Sequence, residues 1–300
     1  MQGETWLVTG AGGFLGRHIM AELRKSSGPD RRVIGLSRNS AEGGESVDLL
    51  DRRALLAALQ RHQPDVVIHA AGTTRADDPD ACFERNARAT VLLLESLRGL
   101  NRPARVVLLG SAAELGPVAV ADLPVGPDYP AKPVSAYGLS KYLATCAGLA
   151  APTPLDVRVA RIFNPVGAGL PESQAFGRFA RRLRDDPAQD PLILEVGDID
   201  SRRDFVDVRD VASAVLAIAE RGRSGRIYHV GTGESHSVRS GLETLIALSG
   251  RAVDVRVQPS HVDGSVPRDS RADSLSLREE TGWSPRFAWE ESLRDLWNAG

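Results

Sequence analysis

The sequence predicts an α/β protein built on a doubly wound parallel sheet, with a smaller C-terminal lobe. Two observations lead to this class. Strand-like and helix-like segments alternate through the first half of the 300 residues, and runs such as VVIHA (66–70) and VVLLG (106–110) are apolar throughout. Continuous apolar strands are typical of parallel sheets that helices cover on both faces.

The elements follow from hydrophobic spacing. Leu15, Ile19 and Leu23 recur at four-residue intervals, which predicts a helix over 14–25. After Asn164 the pattern becomes irregular, so we expect no second large sheet. The same criteria predict strands at 5–9, 32–36, 66–70, 106–110 and 156–162, and helices at 54–61, 81–97, 136–150, 176–184, 208–221, 238–248 and 293–297.

Composition excludes several classes of function. The formal net charge is −2, so no global field recruits nucleic acid or an acidic membrane. The two cysteines, Cys82 and Cys146, form no disulfide framework and no metal-binding pattern. No apolar run reaches membrane-spanning length, and the N-terminus lacks the features of a secretion signal. We therefore expect a cytoplasmic protein with no metal, no nucleic acid and no membrane partner.

The turn after the first strand is rich in glycine and reads TGAGGFLG (Thr9–Gly16). Its first glycine allows a tight turn, a middle glycine lets the backbone approach a pyrophosphate, and the last lets the helix pack on the strand. The helix N-terminus presents unpaired N–H groups to phosphates. A Rossmann-type dinucleotide site is predicted, with contacts from Gly10, Gly12, Gly13, Phe14, Leu15 and Gly16.

The end of the second strand bears on the choice of cofactor. Sites specific for NAD usually place Asp or Glu there for the ribose 2′-hydroxyl. This chain has Ser37 and Arg38 instead, and Arg38 could pair with a 2′-phosphate. The sequence favours NADP(H), with NAD(H) as the alternative if Arg38 is a solvated loop residue. Asp48 and Leu49 follow a short third strand and are expected at the adenine edge.

Three residues predict proton chemistry. Tyr137 and Lys141 lie four apart on a helix and hence on one face, where an ammonium would favour the phenolate. Ser111 follows the 106–110 strand, at the sheet edge where open α/β folds place ligand groups. We predict that these three residues are catalytic, with Lys141 also holding the nicotinamide ribose.

With these motifs assembled, the chain resembles the extended short-chain dehydrogenase/reductases, the NAD-dependent epimerase/dehydratase family. The resemblance covers nearly the whole chain. It rests on TGAGGFLG (9–16), HAAG (69–72), Asn86, GSAAELG (110–116), PVSAYGLSK (133–141), RIFNPVG (161–167), RRDFVDVRD (202–210) and TGW (281–283).

The resemblance implies roles for further residues. Ser111, Tyr137 and Lys141 would be the catalytic triad, Asn164 would meet the substrate near its phosphates, and Arg203 would meet a diphosphate oxygen. His69 matches a cofactor-side position, although a buried and hydrogen-bonded core histidine is the alternative. Other implied cofactor contacts are Ala70, Ala71, Gly72, Asn86 and Ile162, and other substrate contacts are Thr74 and Ala112. Arg178, on the basic helix over 176–184, is a further candidate for the diphosphate, with a solvated helix face as the alternative.

The resemblance also implies an organisation for the whole chain. Residues 1–164, with about 205–232, would form the dinucleotide-binding domain. Residues 165–204 and 233–300 would form the substrate-binding lobe. Members of the family often form homodimers through a four-helix bundle, here made by the 81–97 and Tyr137 helices.

Three functions remain open at this level. The stretch 192–205 looks most like GDP-6-deoxy-4-keto-mannose reductases, which indicates reduction of a keto group, at C4 of a nucleotide-linked sugar. RIFNPVG looks equally like UDP-galactose 4-epimerases. A noncatalytic dinucleotide sensor is disfavoured because Tyr137 and Lys141 are both present. Dehydration is disfavoured because Ala112 and Ala113 stand where 4,6-dehydratases carry an acid pair.

One departure from the family concerns the diphosphate. The usual Arg-Pro-x-Asp before the last helix is Asp263-Gly264-Ser265 here, and an Asp would repel a diphosphate. Arg256 or Arg268 could take over the role. Otherwise the substrate would be a ketone without a nucleotide.

Overall fold

The computed structural model describes residues 3–26, 28, 31–39, 44–74, 78–185, 191–258 and 268–300. Its strands are β1 (Glu4–Thr9), β2 (Arg31–Ser37), β3 (Glu45–Ser46), β4 (Val66–His69), β5 (Ala104–Ser111), β6 (Leu155–Ile162), β7 (Asn164–Val166), β8 (Leu192–Val196), β9 (Arg202–Arg203), β10 (Phe205–Asp207), β11 (Ile227–Val230), β12 (His236–Ser237) and β13 (Val253–Val257). Its α-helices are α1 (Phe14–Ser26), α2 (Arg52–His62), α3 (Pro79–Cys82), α4 (Ala89–Arg98), α5 (Ala136–Leu149), α6 (Ala175–Asp185), α7 (Val208–Arg221), α8 (Val238–Ser249), α9 (Leu275–Thr281) and α10 (Trp289–Asn298). None of the helices in these ranges is long and apolar enough to cross a membrane.

Seven strands form one parallel sheet in the order β11-β6-β5-β4-β1-β2-β3. The chain winds outward from β1 in one direction and then resumes at β4 in the other. The carboxyl ends of β1 and β4 therefore flank the point where the strand order reverses, which is where open α/β sheets bind ligands. The predicted doubly wound parallel sheet is confirmed.

Both faces of this sheet are buried. Neighbouring residues on β1 belong to different cores: Val8 packs with α1 and α7 on one face, and Leu7 packs with α2 and α4 on the other. Both residues are fully inaccessible to solvent. This explains why the strand sequences are continuously apolar and not alternating.

The C-terminal part packs around a third apolar cluster. Phe176, Phe179 and Leu183 form the buried face of α6, and they meet residues of β8, α8 and α10. The strands in this part form only two-stranded sheets, which pair β10 with β7, β12 with β9, and β13 with β8. The irregular pattern after Asn164 therefore corresponds to short strand pairs.

The predicted helix over 81–97 is wrong in one respect. The segment is not a continuous α-helix, because a π-helical stretch, Phe83–Arg88, separates α3 from α4. The wider turn brings Asn86 to the buried side, where it is 1% exposed. Hydrophobic spacing did not show this, because Ala89, Leu93 and Leu97 keep helical intervals beyond the π turn.

Candidate active site

The glycine-rich turn lies between β1 and α1 and depends on glycine at its first position. Gly10 has φ +68°, and a Cβ there would lie 2.6 Å from backbone atoms of Ala71. A Cβ on Gly16 would lie 2.0 Å from the carbonyl oxygen of Gly10. The first N–H groups of α1, which begins at Phe14, have no intrahelical acceptor. The turn is thus a compact backbone cradle, open to a phosphate.

Among the described residues at the end of β2, the adenosine side of this cradle carries a cation and no carboxylate. Ser37 ends β2 and lies 3.8 Å from where a Gly12 side chain would begin. Arg38 is exposed, and its side chain has no hydrogen-bond or ion-pair partner among the described residues. Asp48 caps a local turn by accepting from Leu50 N–H at 3.0 Å, and Leu49 is buried. These features suit a dinucleotide with a phosphorylated adenosine ribose.

Ser111 lies at the carboxyl end of β5 in a tightly capped turn. Its Oγ accepts the Ala113 N–H at 3.2 Å, and its own N–H donates to Glu114 Oε1 at 2.7 Å. The Ser-x-x-Glu capping box holds the short 3₁₀ turn Ala112–Glu114. Because the serine oxygen accepts from the backbone, its hydroxyl proton remains available to a group in the site.

Helix α5 places Tyr137 and Lys141 beside this turn. Its N-cap is Ser135, whose Oγ accepts Gly138 N–H at 3.0 Å. A Cβ on Gly138 would lie 2.4 Å from Ala113 O, so the start of the helix rests directly on the Ser111 turn. The elements thus bring Ser111, Tyr137 and Lys141 together, as the sequence predicts.

Burial shifts the pKa values of both Tyr137 and Lys141. Burial raises the pKa of Tyr137, and a hydrogen bond from Ser111 lowers it only in part, while the Glu114 charge raises it further. Burial lowers the pKa of Lys141, and Glu114 opposes that shift. Desolvation of the tyrosinate is the largest of these causes, so the pKa of Tyr137 lies above its ordinary value. Tyr137 is therefore a protonated acid at neutral pH. That Lys141 favours the phenolate stays a prediction.

Asn86 uses its whole amide to fix neighbouring elements. Its Oδ1 accepts Thr73 N–H at 2.8 Å, and its Nδ2 donates to Thr73 O at 3.0 Å and to Ser140 Oγ at 2.9 Å. Ser140 in turn donates to the Tyr137 carbonyl at 2.8 Å. Asn86 therefore ties the segment after β4 to the helix that carries Tyr137.

His69 is a fully hydrogen-bonded core histidine. Thr90 Oγ1 donates to Asn86 O at 2.6 Å, so it accepts from His69 Nε2 at 3.0 Å, which leaves Nδ1 to accept from Thr9 Oγ1 at 2.7 Å. Burial lowers the pKa of His69 to about 3, with a smaller contribution from Lys141. The imidazole is thus neutral, and its hydrogen bond to Thr9 supports the start of the glycine-rich turn.

The two residues expected at the substrate phosphates lie on adjoining segments. Asn164 donates from both its backbone N and its Nδ2 to Asp204 O, at 3.0 and 3.1 Å. Arg203 is half-buried and donates to Arg202 O at 2.7 Å, and no carboxylate lies within ion-pair distance of it in the described part of the chain. Burial lowers the pKa of Arg203, while Asp198 and Asp269 oppose the shift. An unpaired, half-buried guanidinium of this kind suits an anionic ligand.

Other predicted residues fall into two groups. The first group lies at the carboxyl edge of the sheet. It comprises Ala70, Ala71 and Gly72 after β4, Ala112 in the Ser111 turn and Ile162 at the end of β6. The exposed Thr74 follows Gly72 by two residues. Arg178 instead lies on the exposed face of α6, in a shallow groove of about 250 Å³ shared with Glu172 and Arg181. No described hydrogen bond or ion pair joins Arg178 to Ser111, Tyr137 or Arg203.

Arg256 and Arg268, the two candidates to replace the missing diphosphate arginine, differ in their surroundings. Asp263, Gly264 and Ser265 lie outside the described residues. Arg256 is paired with Asp254 at 2.8 Å on the exposed edge strand β13. Arg268 is exposed, and its carbonyl accepts from Arg202 N at 2.9 Å, next to Arg203 along the chain. Of the two candidates, Arg268 is thus the one that the backbone places beside the Arg203 strand.

Two buried carboxylates near the site were missed from the sequence. Glu114 is fully inaccessible and bonds Arg161 through Nε at 3.1 Å and Nη2 at 3.0 Å. Asp204, also fully inaccessible, accepts from the backbone N–H groups of Thr232, Gly233 and Ala272 at 2.8 to 3.0 Å. The Ser-x-x-Glu spacing was a usable signal for Glu114. Asp204 carried no signal except its place inside RRDFVDVRD.

Comparison with known proteins bears on this site as a whole. The model of the NAD dependent epimerase/dehydratase family matches residues 6–231. A GDP-6-deoxy-D-mannose reductase of Pseudomonas aeruginosa is 31% identical over 96% of this chain and 94% of its own length. A dTDP-6-deoxy-L-talose 4-dehydrogenase (NAD(P)(+)) of Kitasatospora kifunensis is 32% identical over 97% of this chain and 94% of its own length.

Solved structures and more distant relatives agree. The structure of RMD from Pseudomonas aeruginosa complexed with NADPH has a TM-score of 0.88 and 30% identity, covering 99% of this chain and 98% of the other. A UDP-glucose 4-epimerase of Bos taurus is 26% identical over 98% of this chain and 95% of its own length. The resemblance and the enzyme class predicted from the sequence are confirmed, and the chain belongs to the NAD-dependent epimerase/dehydratase family of extended short-chain dehydrogenase/reductases.

Proposed function

We propose that this enzyme reduces a keto group, at C4 of a nucleotide-linked sugar, with NAD(P)H. The observation that carries the proposal is the juxtaposition of Tyr137 with Ser111 at the carboxyl end of β5, beside the dinucleotide turn. Relatives that match over nearly the whole chain are a sugar-nucleotide reductase and a 4-dehydrogenase. Both names describe redox chemistry at one sugar carbon.

The chemistry divides among three residues. When bound, NAD(P)H supplies the hydride that the ketone carbon receives. Tyr137 donates its phenolic proton to the ketone oxygen, and Ser111 donates a hydrogen bond to that oxygen as negative charge develops. Lys141, one turn further along α5, stabilises the tyrosinate that remains and is placed to hold the ribose hydroxyls. The product is an alcohol, with the hydride on carbon and the proton on oxygen.

The residues around the glycine-rich turn fit a dinucleotide. The cradle of backbone N–H groups suits the pyrophosphate, and the exposed Arg38 beside Ser37 suits a ribose 2′-phosphate, which favours NADP(H) over NAD(H). One structural relative is complexed with NADPH. The proposed contacts are Gly10, Gly12, Gly13, Phe14, Leu15, Gly16, Ser37, Arg38, Asp48, Leu49, Ala70, Ala71, Gly72, Asn86, Tyr137, Lys141 and Ile162.

A nucleotide on the sugar is supported by the segment after β6. Arg203 offers a half-buried guanidinium without a carboxylate partner among the described residues, and Asn164 lies on the adjoining strand β7. Arg268 is the proposed second cation, in place of the arginine that Asp263 replaces. Thr74 and Ala112 are proposed to line the sugar pocket. Arg178, on the exposed face of α6, stays a weaker prediction.

The second candidate is a 4-epimerase that oxidises the sugar and reduces its other face with a retained NAD. Full-length relatives named UDP-glucose 4-epimerase support it. The uncharged Ser37, where an NAD site usually carries a carboxylate, favours the reductase. Incubating the purified enzyme with NADPH and a GDP- or dTDP-linked 4-keto-6-deoxy sugar tests the choice. A reductase forms one NADP⁺ per alcohol product, and an epimerase forms none.

The proposal includes a homodimer. Val91 on α4 and Leu139 and Leu143 on α5 are about two-fifths exposed, although all three are apolar. Exposed apolar side chains on two adjacent helices are typical of a protein interface. Leu143→Glu should convert a dimer into a monomer on a sizing column, whereas the equivalent change at Leu275, exposed on α9, should not.

The division of the chain stays part of the proposal. The dinucleotide-binding domain would comprise 1–164 with about 205–232, because α7 and β11 belong to the large sheet and its helical layer. The substrate lobe would comprise 165–204 and 233–300, whose residues form most of the third apolar cluster. A cytoplasmic location likewise stays a prediction.

A further inference from the structure

Beneath the Ser111 turn lies a chain of buried polar groups that the proposed chemistry does not use. Glu114 accepts from Ser111 N–H at 2.7 Å and from Arg161 at 3.0 and 3.1 Å. Arg161 Nη1 lies 3.3 Å from His229 Nε2, and His229 Nδ1 lies 2.9 Å from Val125 O. Glu114 and His229 are fully inaccessible, and Arg161 is 2% exposed.

The positions of the hydrogen atoms in this row of buried groups follow from the acceptors at its two ends. A carbonyl only accepts, so His229 Nδ1 carries the proton that bonds Val125 O, and Nε2 accepts from the Arg161 guanidinium. Burial lowers the pKa of His229 to about 3, and the Arg161 charge acts in the same direction. The imidazole is therefore neutral, and the chain contains one negative and one positive group, each hydrogen-bonded to its neighbours.

Stability alone does not account for this ion pair. Removing two charges from water costs much of what their attraction returns, and well-packed apolar residues are often as stable in the same place. The neighbouring positions on the same face of β5 and β6 are apolar, for example Leu108 and Val159. A charged pair in that layer has a structural cost, and its one hydrogen bond to the proposed catalytic residues in the described part of the chain is to the Ser111 N–H.

The geometry at Ser111 shows what that contact determines. Glu114 Oε1 would lie 2.6 Å from a Cβ on Gly110, so the carboxylate is pressed against the last residues of β5. Ser111 Oγ simultaneously accepts Ala113 N–H. The serine is thus held on its backbone side by Glu114 and on its side-chain side by the turn, and neither bond uses its hydroxyl proton.

We propose that Glu114, itself held by Arg161, is a positioning residue that fixes the Ser111 hydroxyl for proton chemistry at Tyr137 through its hydrogen bond to the Ser111 backbone. The proposal rests on the proposed function of the Ser111, Tyr137 and Lys141 cluster. A positioning role for Glu114 differs from a purely structural role in one expected effect. The acceptor on residue 114 should matter for turnover, independently of the charges.

Two double variants separate the acceptor from the ion pair. Glu114→Met/Arg161→Met removes both charges and the acceptor, and Glu114→Gln/Arg161→Met removes both charges but keeps an oxygen that accepts Ser111 N–H. Both lose Arg161 alike, so neither leaves an uncompensated buried charge. Single-residue variants would, and they are at risk of not folding.

The Met/Met variant should lose on the order of 10²-fold in kcat, because displacement of a reacting group by about 1 Å costs that much. Its KM for the ketone and its Kd for NADPH should not change. The Gln/Met variant should recover about tenfold of the loss, the effect of one restored hydrogen bond. Equal kcat in the two variants, whether low or at the level of the unmodified enzyme, would overturn the proposal.

Asp156 and Arg158 provide a matched control on the same strand. Their ion pair measures 2.8 Å, and Arg158 is 7% exposed, at the amino end of β6 far from the site. Asp156→Asn/Arg158→Met should lower the urea midpoint of unfolding but leave kcat unchanged. If kcat falls there as much as in the Met/Met variant, loss of an ion pair on β6 explains the effect and the positioning role is rejected.

A second readout keeps this test separate from the proposed reaction. Hydrogen exchange of the Ser111 amide, followed by NMR, reports the bond to residue 114 without any substrate. Protection should fall in the Met/Met variant and persist in the Gln/Met variant. If the unmodified enzyme reduces no ketone, the proposed function fails, while unchanged protection in the Met/Met variant would reject the role of Glu114 itself.

Discussion

Asn86 Nδ2 donates to Ser140 Oγ at 2.9 Å, which joins the π-helical stretch before α4 to the middle of α5. Both side chains are buried, and Ser140 passes the connection on to the Tyr137 carbonyl. The acid of the proposed reaction is therefore positioned from outside its own helix, by a residue whose inward orientation depends on a local departure from α-helical geometry.

Asn86→Ala should destabilise the protein. It leaves the Thr73 N–H without its acceptor, and each buried group that loses its partner costs about 1–3 kcal/mol. We expect the free energy of unfolding in urea to fall by about that amount. Asn298→Ala, an exposed change near the C-terminus, should stay within about 0.5 kcal/mol of the unmodified protein. Equal stability of the two variants would show that the Asn86 contacts contribute nothing.

Tyr137→Phe should reduce turnover by about 10²- to 10⁴-fold, the usual contribution of a general acid. Tyr142→Phe is the matched control, because Tyr142 lies on the same helix and is also partly buried. NADPH binding, measured by calorimetry, should persist in both variants. Full ketoreductase activity in Tyr137→Phe would contradict the mechanism.

Arg38→Ala should weaken NADPH and not NADH. A hydrogen bond to a charged group contributes about 1.5–3 kcal/mol, which corresponds to roughly 10- to 100-fold in Kd for the phosphorylated cofactor. Arg32→Ala removes an exposed arginine near the opposite end of β2 and should change neither affinity. Titration of the three proteins with both dinucleotides decides the matter. Unaltered NADPH affinity in Arg38→Ala would make Arg38 a solvated surface residue.

Arg203→Met should raise the KM for a nucleotide-linked ketone about 10- to 100-fold, because a charge-assisted contact with the diphosphate is lost. The KM for NADPH should stay constant. Arg202→Met is the control, since Arg202 bonds the Ser235 oxygen atoms and not the proposed ligand. If both variants are equally affected, the segment has been disturbed as a whole and Arg203 has no special role.

Stability should decline in mild acid through two buried histidines. Burial lowers the pKa of His69 and of His229 to about 3 from 6.5. The unfolded chain therefore binds protons below about pH 6.5 that the folded chain does not take up. From pH 7 to pH 5 each histidine should remove about 2 kcal/mol of unfolding free energy.

Urea unfolding at several pH values measures this effect. The His69→Gln variant should lose about half of the pH dependence, because His229 alone still titrates on unfolding. The same variant also tests the proposed bracing of the glycine-rich turn, since its Kd for NADPH should rise. An unchanged slope of stability against pH in this variant would show that His69 is not neutral in the folded protein.

Features set by local spacing were predictable from the sequence. The glycine turn, Tyr137 with Lys141, and Ser111 at a strand end are recognised from neighbours in the chain, and the structure brings them to one edge of the sheet. The sheet itself followed from continuous apolar runs, because both faces are covered. The functional roles of these residues stay predictions.

Features set by contacts between distant segments were not predictable. Glu114 and Arg161 are 47 residues apart and meet only because β5 and β6 are neighbours. The π-helical stretch left hydrophobic spacing intact on both sides, so no pattern showed that Asn86 points inward. Arg178 lies on the exposed face of α6, and its role in substrate binding stays a prediction.

The most direct test of the account is to follow the cofactor during turnover. One sample of the purified enzyme is denatured to identify any retained dinucleotide. A second, native sample is given NADPH and a GDP-linked 4-keto-6-deoxy sugar. The account predicts an exchangeable site that prefers NADPH, with one NADP⁺ formed per sugar alcohol. Tightly retained NAD, with C4 inversion and no net oxidation of added cofactor, would contradict it in favour of an epimerase.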